Sequence, residues 1–116
     1  MFYTYILASG RNGTLYIGST QDLLNRIHQH KAKAVPGFTA KYGVDQLVWY
    51  EPHTDRHQVF RRERQIKEWR RLWKLQLIER TNPNWLDLAE GLEERLSREE
   101  MLSMWQDVPG SRLSPG

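Results

Sequence analysis

The stretch Tyr16-Ile17-Gly18-Ser19-Thr20, which runs on into Asp22-Leu23-Leu24-Asn25-Arg26-Ile27-His28-Gln29-His30, decides the fold of this chain. Its first part has the residues of a short strand, and its second part has apolar residues at helical spacing. Arg26 and His30 are four residues apart, so a helix places them side by side along one edge. The stretch therefore predicts a strand that turns into a helix, with a phenol at one end and a guanidinium and an imidazole at the other.

A hairpin is predicted around this stretch. Phe2 to Ala8 alternates aromatic, β-branched and aliphatic residues, which indicates a first strand. Residues 9–13 contain Asn-Gly, which favours the positive φ angles of a turn, and Thr14 to Gly18 is the predicted return strand. The sequence does not determine the pairing register, but a loop centred near residues 10 and 11 would bring Tyr5 opposite Tyr16 on one face.

The rest of the chain is predicted to add one strand and several helices. The expected elements are an irregular loop at Lys31–Lys41, a third strand at Leu47–Tyr50 that ends before Pro52, a helix at about Arg56–Arg70, a helical piece ending near Arg80, a short helix at Leu86–Leu92 and a last helix from Ser97 toward Trp105. The order β-β-α-β-α followed by helices predicts an α+β fold, in which helices cover a small antiparallel sheet.

Composition narrows the class of protein. A chain of 116 residues is expected to form one small domain with a modest core. The absence of cysteine excludes disulfides and any cysteine-based zinc site. No apolar run approaches the roughly 18 residues of a membrane span, and the first residues lack the pattern of a signal peptide. We therefore expect a cytoplasmic protein that does not enter a membrane.

The charge is distributed unevenly along the chain. Residues 1–81 contain 14 basic and 7 acidic residues, a net charge of +7, whereas residues 82–116 contain 3 basic and 7 acidic residues, a net charge of −4. The basic residues are densest between Arg56 and Lys74. Such a surface attracts a polyanion, of which nucleic acid is the commonest, and a solvated helix explains the same run equally well.

Two tryptophans lie at the end of this basic run. Trp69 and Trp73 continue the apolar content of the chain at helical spacing. This spacing favours places in the core over roles as platforms on which bases stack.

Glu63 lies on the predicted core side of a helix, because Val59, Glu63 and Ile66 fall on one stripe. An unpaired buried carboxylate is costly, so Glu63 must be neutralised, paired or bound to a cation. A salt bridge to an arginine such as Arg62 or Arg26 is the structural alternative to a metal.

Together, these residues suit the hydrolysis of a phosphodiester. Arg26 can grip a phosphate through two hydrogen bonds, Glu63 can hold a hard cation such as Mg²⁺, and a nearby cation lowers the pKa of a tyrosine. Taken singly, Tyr5 and Tyr16 could be strand aromatics, Arg26 and Glu63 an ion pair, and His30 a polar residue at a helix edge. Their combination and spacing favour a hydrolytic site.

The same residues make the chain similar to the GIY-YIG nuclease family. Tyr3-Thr4-Tyr5 resembles the first motif tripeptide, with Tyr3 where the family name has glycine, and Tyr16-Ile17-Gly18 matches the second at the family's spacing. Arg26 matches the helix arginine of the family, His30 the position four residues later, and Glu63 the metal-binding glutamate. The resemblance covers roughly residues 3–82.

The resemblance implies a metal-dependent endonuclease with a central three-stranded antiparallel sheet. One divalent ion, Mg²⁺ or Mn²⁺, would be bound by Glu63, and Arg26 would contact the scissile phosphate. A motif tyrosine, either Tyr5 or Tyr16, would act as the general base, with His30 assisting. The residues expected to bind nucleic acid are Arg26, Lys31, Lys33, Lys41 and Arg62.

Asn82 has two interpretations. Relatives carry an active-site asparagine after the glutamate, at a shorter distance than Asn82 lies from Glu63. Asn82 either takes that role or only caps a helix that begins at Pro83.

The predicted domain organisation is a GIY-YIG-like nuclease domain at residues 1–82, a helical extension at 83–106 and a disordered tail at 107–116.

The predicted substrate is DNA, with RNA left open, and cleavage is expected to depend on DNA structure or on a targeting partner rather than on sequence. DNA repair or recombination is the expected setting. One alternative is a non-catalytic nucleic-acid-binding module with the same fold, and another is a protein-interaction domain that uses the acidic C-terminal helices. The sequence does not predict the oligomeric state.

Overall fold

A three-stranded antiparallel sheet forms the centre of the computed structural model. The structure describes residues 1–34 and 36–106, with the backbone alone for residues 103–106. The strands are β1 (Phe2–Ala8), β2 (Leu15–Thr20) and β3 (Gln46–His53), in the order β2-β1-β3. Both neighbours pair with β1 in antiparallel fashion. The predicted sheet is confirmed, and β2 and β3 are its edge strands.

Helices cover both faces of this sheet. They are α1 (Leu23–Lys31), α2 (Phe38–Tyr42), α3 (Arg56–Glu68), α4 (Arg71–Thr81) and α5 (Leu92–Gln106). The predicted α+β class and the additional C-terminal helices are confirmed. The predicted disordered tail at 107–116 lies outside the described residues. Within the described residues, no helix is long and apolar enough to cross a membrane.

The central strand β1 is buried on both faces, which explains its aromatic and aliphatic composition. Tyr5 and Leu7 belong to a core cluster with Leu23 and Ile27 of α1. Ile6 and Ala8 belong to a second cluster, which includes Ile66 of α3 and Ile78 of α4. Because successive side chains of a strand point to opposite faces, Tyr5 is directed toward α1 and away from the main body of α3.

The hairpin has a different register from the predicted one. Tyr5 pairs with Gly18, and Tyr16 pairs with Leu7. The connecting loop spans residues 9–14, and the amide of Ser9 donates to the carbonyl oxygen of Thr14 at 3.0 Å. Tyr5 therefore does not lie opposite Tyr16, because the loop is centred one residue later than residues 10 and 11. This change shifts the partner of Tyr5 by two residues, so both tyrosines still share one face.

Two other elements differ from the predictions. The loop expected at Lys31–Lys41 runs into α2. The C-terminal cap of α2 is Gly43, whose φ of 65° lies in the left-handed region that glycine favours. Strand β3 continues through Pro52, which pairs with Tyr3. Proline is tolerated there because β3 is an edge strand.

The C-terminal segment was also predicted incorrectly in part. The short helix expected at Leu86–Leu92 is a series of turns, and α5 begins at Leu92 rather than at Ser97. The segment packs on the sheet: the amide of Leu88 donates to the carbonyl of Leu47 at 2.7 Å, and Leu92 is buried in the cluster that contains Tyr5. The boundary at residue 82 stays a prediction, and the residues after it share a core with those before it.

Candidate active site

Three aromatic rings meet on the α1 face of the sheet, and we call them the phenol–imidazole cluster: Tyr5 of β1, Tyr16 of β2 and His30 of α1. The ring centroids are 6.3 Å apart for Tyr5 and Tyr16, 6.1 Å for Tyr5 and His30, and 5.7 Å for Tyr16 and His30. Tyr5 and His30 are buried, whereas Tyr16 is half-buried. The structure therefore brings together three of the residues predicted from the motif.

Gly18 makes room for this cluster. A β-carbon at Gly18 would lie 2.6 Å from the Tyr5 hydroxyl oxygen and 3.0 Å from Cε2 of Tyr16. The Tyr5 ring therefore extends across the edge strand β2, which only a residue without a side chain permits.

His30 is held by two contacts, one at each ring nitrogen. Nε2 lies 3.3 Å from the Tyr5 hydroxyl, and Nδ1 lies 3.1 Å from Oγ1 of Thr39, a buried residue of α2. Burial lowers the pKa of His30, and the positive charge of Arg26 lowers it further. His30 is therefore a neutral imidazole of fixed orientation, and Arg26 lies close enough to act on it.

The charges of Arg26 and Glu63 also act on Tyr5. Burial raises the pKa of the Tyr5 phenol well above its ordinary value, and the neighbouring Tyr16 adds to the rise. Arg26 acts in the opposite direction, whereas the carboxylate of Glu63 raises the pKa of Tyr5 again. Both charged groups therefore lie within electrostatic reach of the Tyr5 hydroxyl, although Glu63 belongs to α3 on the other side of the sheet.

The ion pair of Glu63 involves a lysine. A salt bridge from Glu63 to an arginine such as Arg62 or Arg26 was expected as the alternative to a metal. The actual partner is Lys67, one helical turn later on α3, whose Nζ lies 2.6 Å from a Glu63 oxygen. Arg62 pairs instead with Glu51, at 3.0 Å from its Nε. The Glu63 side chain is 20% exposed and that of Lys67 is 51% exposed. A contact of this kind between neighbouring turns is weak, on the order of 0.5 kcal/mol, so another cation can replace the ammonium.

The residues present fit a single hard cation. Within residues 1–34 and 36–106, no group of three or more His, Cys, Asp or Glu side chains is placed to bind a metal. Mg²⁺ does not need such a group, because it commonly uses one or two carboxylates and fills its other positions with water and substrate oxygens. Glu63 is a partly exposed carboxylate, which is an oxygen donor of the type that Mg²⁺ prefers.

The predicted nucleic-acid contacts lie in different environments. Lys33 and Lys41 are exposed on the surface. The Nζ atom of Lys31 contacts Asp87 Oδ2 at 2.6 Å and the carbonyl oxygen of Asp45 at 3.1 Å, so this lysine ties α1 to the C-terminal segment.

Asn82 is engaged in the packing of the chain. It is buried and is the C-terminal cap of α4; the interpretation that it caps a helix beginning at Pro83 is wrong, because a turn follows Asn82 there. Its Nδ2 donates to the carbonyl oxygens of Val48, at 3.1 Å, and Leu86, at 2.9 Å, while its Oδ1 accepts from the Leu86 amide at 2.9 Å. The amide thus joins β3, α4 and the turn that follows, and these contacts are structural.

Comparison with known proteins identifies the family. The sequence profile described as "GIY-YIG catalytic domain" matches residues 1–76. The chain belongs to the GIY-YIG family. A UPF0213 protein from Pediococcus pentosaceus is 30% identical over 79 residues, which cover 68% of this chain and 82% of that protein. The solution NMR structure of a UPF0213 protein from Bacillus halodurans is 27% identical, covers 75% of this chain and 93% of that chain, and gives a TM-score of 0.48.

GIY-YIG membership supports a nuclease function in general and implies DNA as the substrate class. GIY-YIG nucleases generally use divalent metals.

Thr39, which orients His30, was not predicted from the sequence. It lies in a segment expected to be an irregular loop, and no sequence signal connects a threonine there with a histidine nine residues earlier. Only the packing of α2 reveals the contact.

Proposed function

We propose that this chain is a divalent-metal-dependent endonuclease that hydrolyses phosphodiester bonds in DNA. The observation that carries the proposal is the meeting of Tyr5, Tyr16 and His30 beside Arg26, with the Glu63 carboxylate within electrostatic reach. This GIY-YIG arrangement combines a phosphate-binding cation, a metal-binding carboxylate and groups that exchange protons, which are the parts that such hydrolysis requires.

Arg26 is proposed to bind the scissile phosphate. Arg26 is half-buried, and its charge acts on both Tyr5 and His30. A planar guanidinium forms paired, charge-assisted hydrogen bonds with phosphate oxygens, which orient the reacting group as well as bind it. A phosphate held there is placed against the phenol–imidazole cluster.

Glu63 is proposed to hold the divalent ion, Mg²⁺ or Mn²⁺, after exchanging its contact with Lys67. Such an ion offsets negative charge on the phosphate oxygens and makes a bound water more acidic. The carboxylate belongs to α3, whereas Arg26 belongs to α1, so the two groups approach the substrate from different helices.

The two tyrosines are proposed to have different roles. Tyr5 is fully buried, so a water molecule does not reach it in this structure. Tyr16 is half-buried and is therefore the phenol that can meet the attacking water as a general base. Tyr5 is a positioning residue, whose hydroxyl contacts Nε2 of His30. The neutral imidazole can accept a proton, and Thr39 orients its ring from the other nitrogen.

Weak sequence preference is part of the same proposal. The C-terminal segment, which could have served as a separate targeting module, packs against the core through Leu92 and the Lys31–Asp87 contact. DNA structure or a protein partner would then select the site of cleavage. The predicted role in DNA repair or recombination and the cytoplasmic location belong to this proposal as well.

A cleavage panel tests the function. Purified protein would be incubated with labelled duplex, single-stranded, flap and branched DNA, and with the RNA counterparts, in Mg²⁺, in Mn²⁺ and in chelator. Metal-dependent nicking that differs among the DNA structures and disappears in Arg26→Ala is the expected result. Salt-sensitive binding without cleavage in any arm would contradict the proposal and favour the non-catalytic binding module.

A further inference from the structure

A second nucleic-acid site is indicated at the junction of α3 and α4. The two helices are separated by Trp69 and Arg70, both in extended conformation. They enclose a groove of about 380 Å³, and we call it the tryptophan groove; its lining residues are Arg62, Trp69, Trp73, Gln76, Leu77 and Arg80. The phenol–imidazole cluster and Glu63 do not contribute to this lining.

One side of the groove is held in place by several contacts. The Arg62 guanidinium lies over the Trp69 ring, 5.3 Å from its centroid, and is fixed by hydrogen bonds to Glu51 at 3.0 Å and Gln65 at 2.8 Å. Trp69 itself packs against the core cluster that contains Ile66. This side therefore presents an indole and an ion-paired guanidinium that are held by contacts within the chain.

The other side presents an exposed aromatic ring. Trp73 is 48% exposed and meets Trp69 edge to face, with centroids 6.2 Å apart. The Arg70 guanidinium lies over the Trp73 ring, 5.3 Å from its centroid, so a base would stack on the ring face that Arg70 leaves open. The prediction that the helical spacing places both tryptophans in the core is wrong for Trp73. On α4, Trp73, Gln76 and Arg80 fall on one face, because they are spaced by three and four residues. An aromatic ring, an amide and a guanidinium thus line the same groove.

The charge of the surrounding chain indicates the ligand. Residues 56–80 contain nine Lys and Arg residues and three acidic residues. One of those acids, Glu79, accepts a hydrogen bond from the Trp85 indole at 2.7 Å. Sites for single-stranded nucleic acid combine basic grooves for the backbone with aromatic side chains on which bases stack. An acidic peptide would use the positive charge but would gain little from an exposed indole.

We propose that the tryptophan groove binds an unpaired base of single-stranded nucleic acid, with Trp73 as the stacking platform. The inference extends the proposed function by naming a substrate with a single-stranded segment. Arg62 of the groove is adjacent to Glu63 on α3, so the groove and the proposed metal ligand belong to one helix. Binding in the groove needs no cleavage, so the two proposals fail separately.

Fluorescence anisotropy with labelled oligothymidylate, in chelator, tests the groove. Trp73→Ala is expected to weaken binding by about tenfold, since stacking on one aromatic ring has an effect of that order. Trp73→Phe should retain most of the affinity. Leu72→Ala is the matched control, because Leu72 is the neighbouring residue, is 58% exposed and does not line the groove.

Three results would overturn the groove proposal. One is unchanged oligothymidylate binding by Trp73→Ala. Another is a loss of affinity for blunt duplex DNA in Trp73→Ala that equals its loss for oligothymidylate, because a duplex offers no free base. The third is displacement of the oligonucleotide by polyglutamate at matched charge, which would indicate a site for acidic protein. Arg80→Gln, a surface change, adds a readout that does not depend on Trp73. The slope of the logarithm of the binding constant against the logarithm of the salt concentration should fall by about the value for one phosphate contact.

Discussion

The Tyr5 ring lies across Gly18 of the neighbouring strand, and a β-carbon at Gly18 would lie only 2.6 Å from the Tyr5 hydroxyl oxygen. Gly18, the final glycine of the second motif tripeptide, is therefore required for the Tyr5 ring of the first tripeptide to fit. A loop centred near residues 10 and 11 would have paired the two tyrosines, whereas the actual register pairs Tyr5 with Gly18.

Gly18→Ala should destabilise the protein and displace Tyr5. The added methyl group overpacks a buried site, which typically lowers the free energy of unfolding by about 1–3 kcal/mol. Urea unfolding measures this change. Gly10→Ala is the control, because a β-carbon at Gly10 meets no atom within 4 Å. Equal stability of Gly18→Ala and the parent would contradict the described packing.

The stability of the protein should fall in mild acid partly because of His30. Burial and the Arg26 charge lower the pKa of His30 in the folded protein, so the unfolded chain binds its proton more tightly. The stabilisation from a neutral His30 is therefore complete above its unfolded pKa of about 6.5 and is lost as the pH falls through its lower folded pKa. The unfolding temperature, followed from about pH 7 to about pH 5, should decrease less steeply in His30→Gln. His28→Gln is the control, since His28 is exposed on the same helix, and an unchanged slope in His30→Gln would refute the assignment.

Removing each motif hydroxyl should have different consequences. Tyr16→Phe removes the proposed general base and should lower the cleavage rate by roughly 10²-fold or more. Tyr5→Phe removes the contact with His30, and its remaining activity should show an altered pH profile. Single-turnover cleavage as a function of pH measures both effects. A normal rate in Tyr16→Phe together with complete loss in Tyr5→Phe would reverse the proposed roles.

Asn82→Ala should affect stability rather than chemistry. It removes the side-chain partner of two carbonyls and one amide, and the free energy of unfolding should fall by about 2–3 kcal/mol. The exposed Asn84 provides the control variant Asn84→Ala. Denaturant unfolding and cleavage rate would be measured below the unfolding range. A stable Asn82→Ala protein that has lost cleavage would place Asn82 in the active site after all.

The ring cluster of this GIY-YIG domain could be predicted because local spacing determines much of it. Arg26 and His30 lie on one helix edge, and the turn residues after β1 direct the chain into a hairpin. The hairpin register and the role of Thr39 could not be predicted, because they depend on how the loop closes and how α2 packs. The contact of Glu63 with Lys67 was available from their spacing of four residues.

Trp73 shows why helical spacing can mislead. On one continuous helix it would follow Ile66 by seven residues and share its buried face. The break at Trp69 and Arg70 ends α3 and starts α4 in a new orientation. The core pattern of α3 therefore does not extend to Trp73, which is left half exposed at the groove.

The most direct test of the nuclease assignment compares Glu63→Gln with Lys67→Gln in single-turnover cleavage of labelled DNA with Mg²⁺. Both changes break the Glu63–Lys67 ion pair, but only Glu63→Gln removes the carboxylate. We predict that Glu63→Gln loses at least about 10²-fold in rate, whereas Lys67→Gln keeps cleaving and needs no more Mg²⁺ than the parent. Cleavage by Glu63→Gln at the parent rate, or equal cleavage by the parent protein in chelator, would contradict a metal site at Glu63.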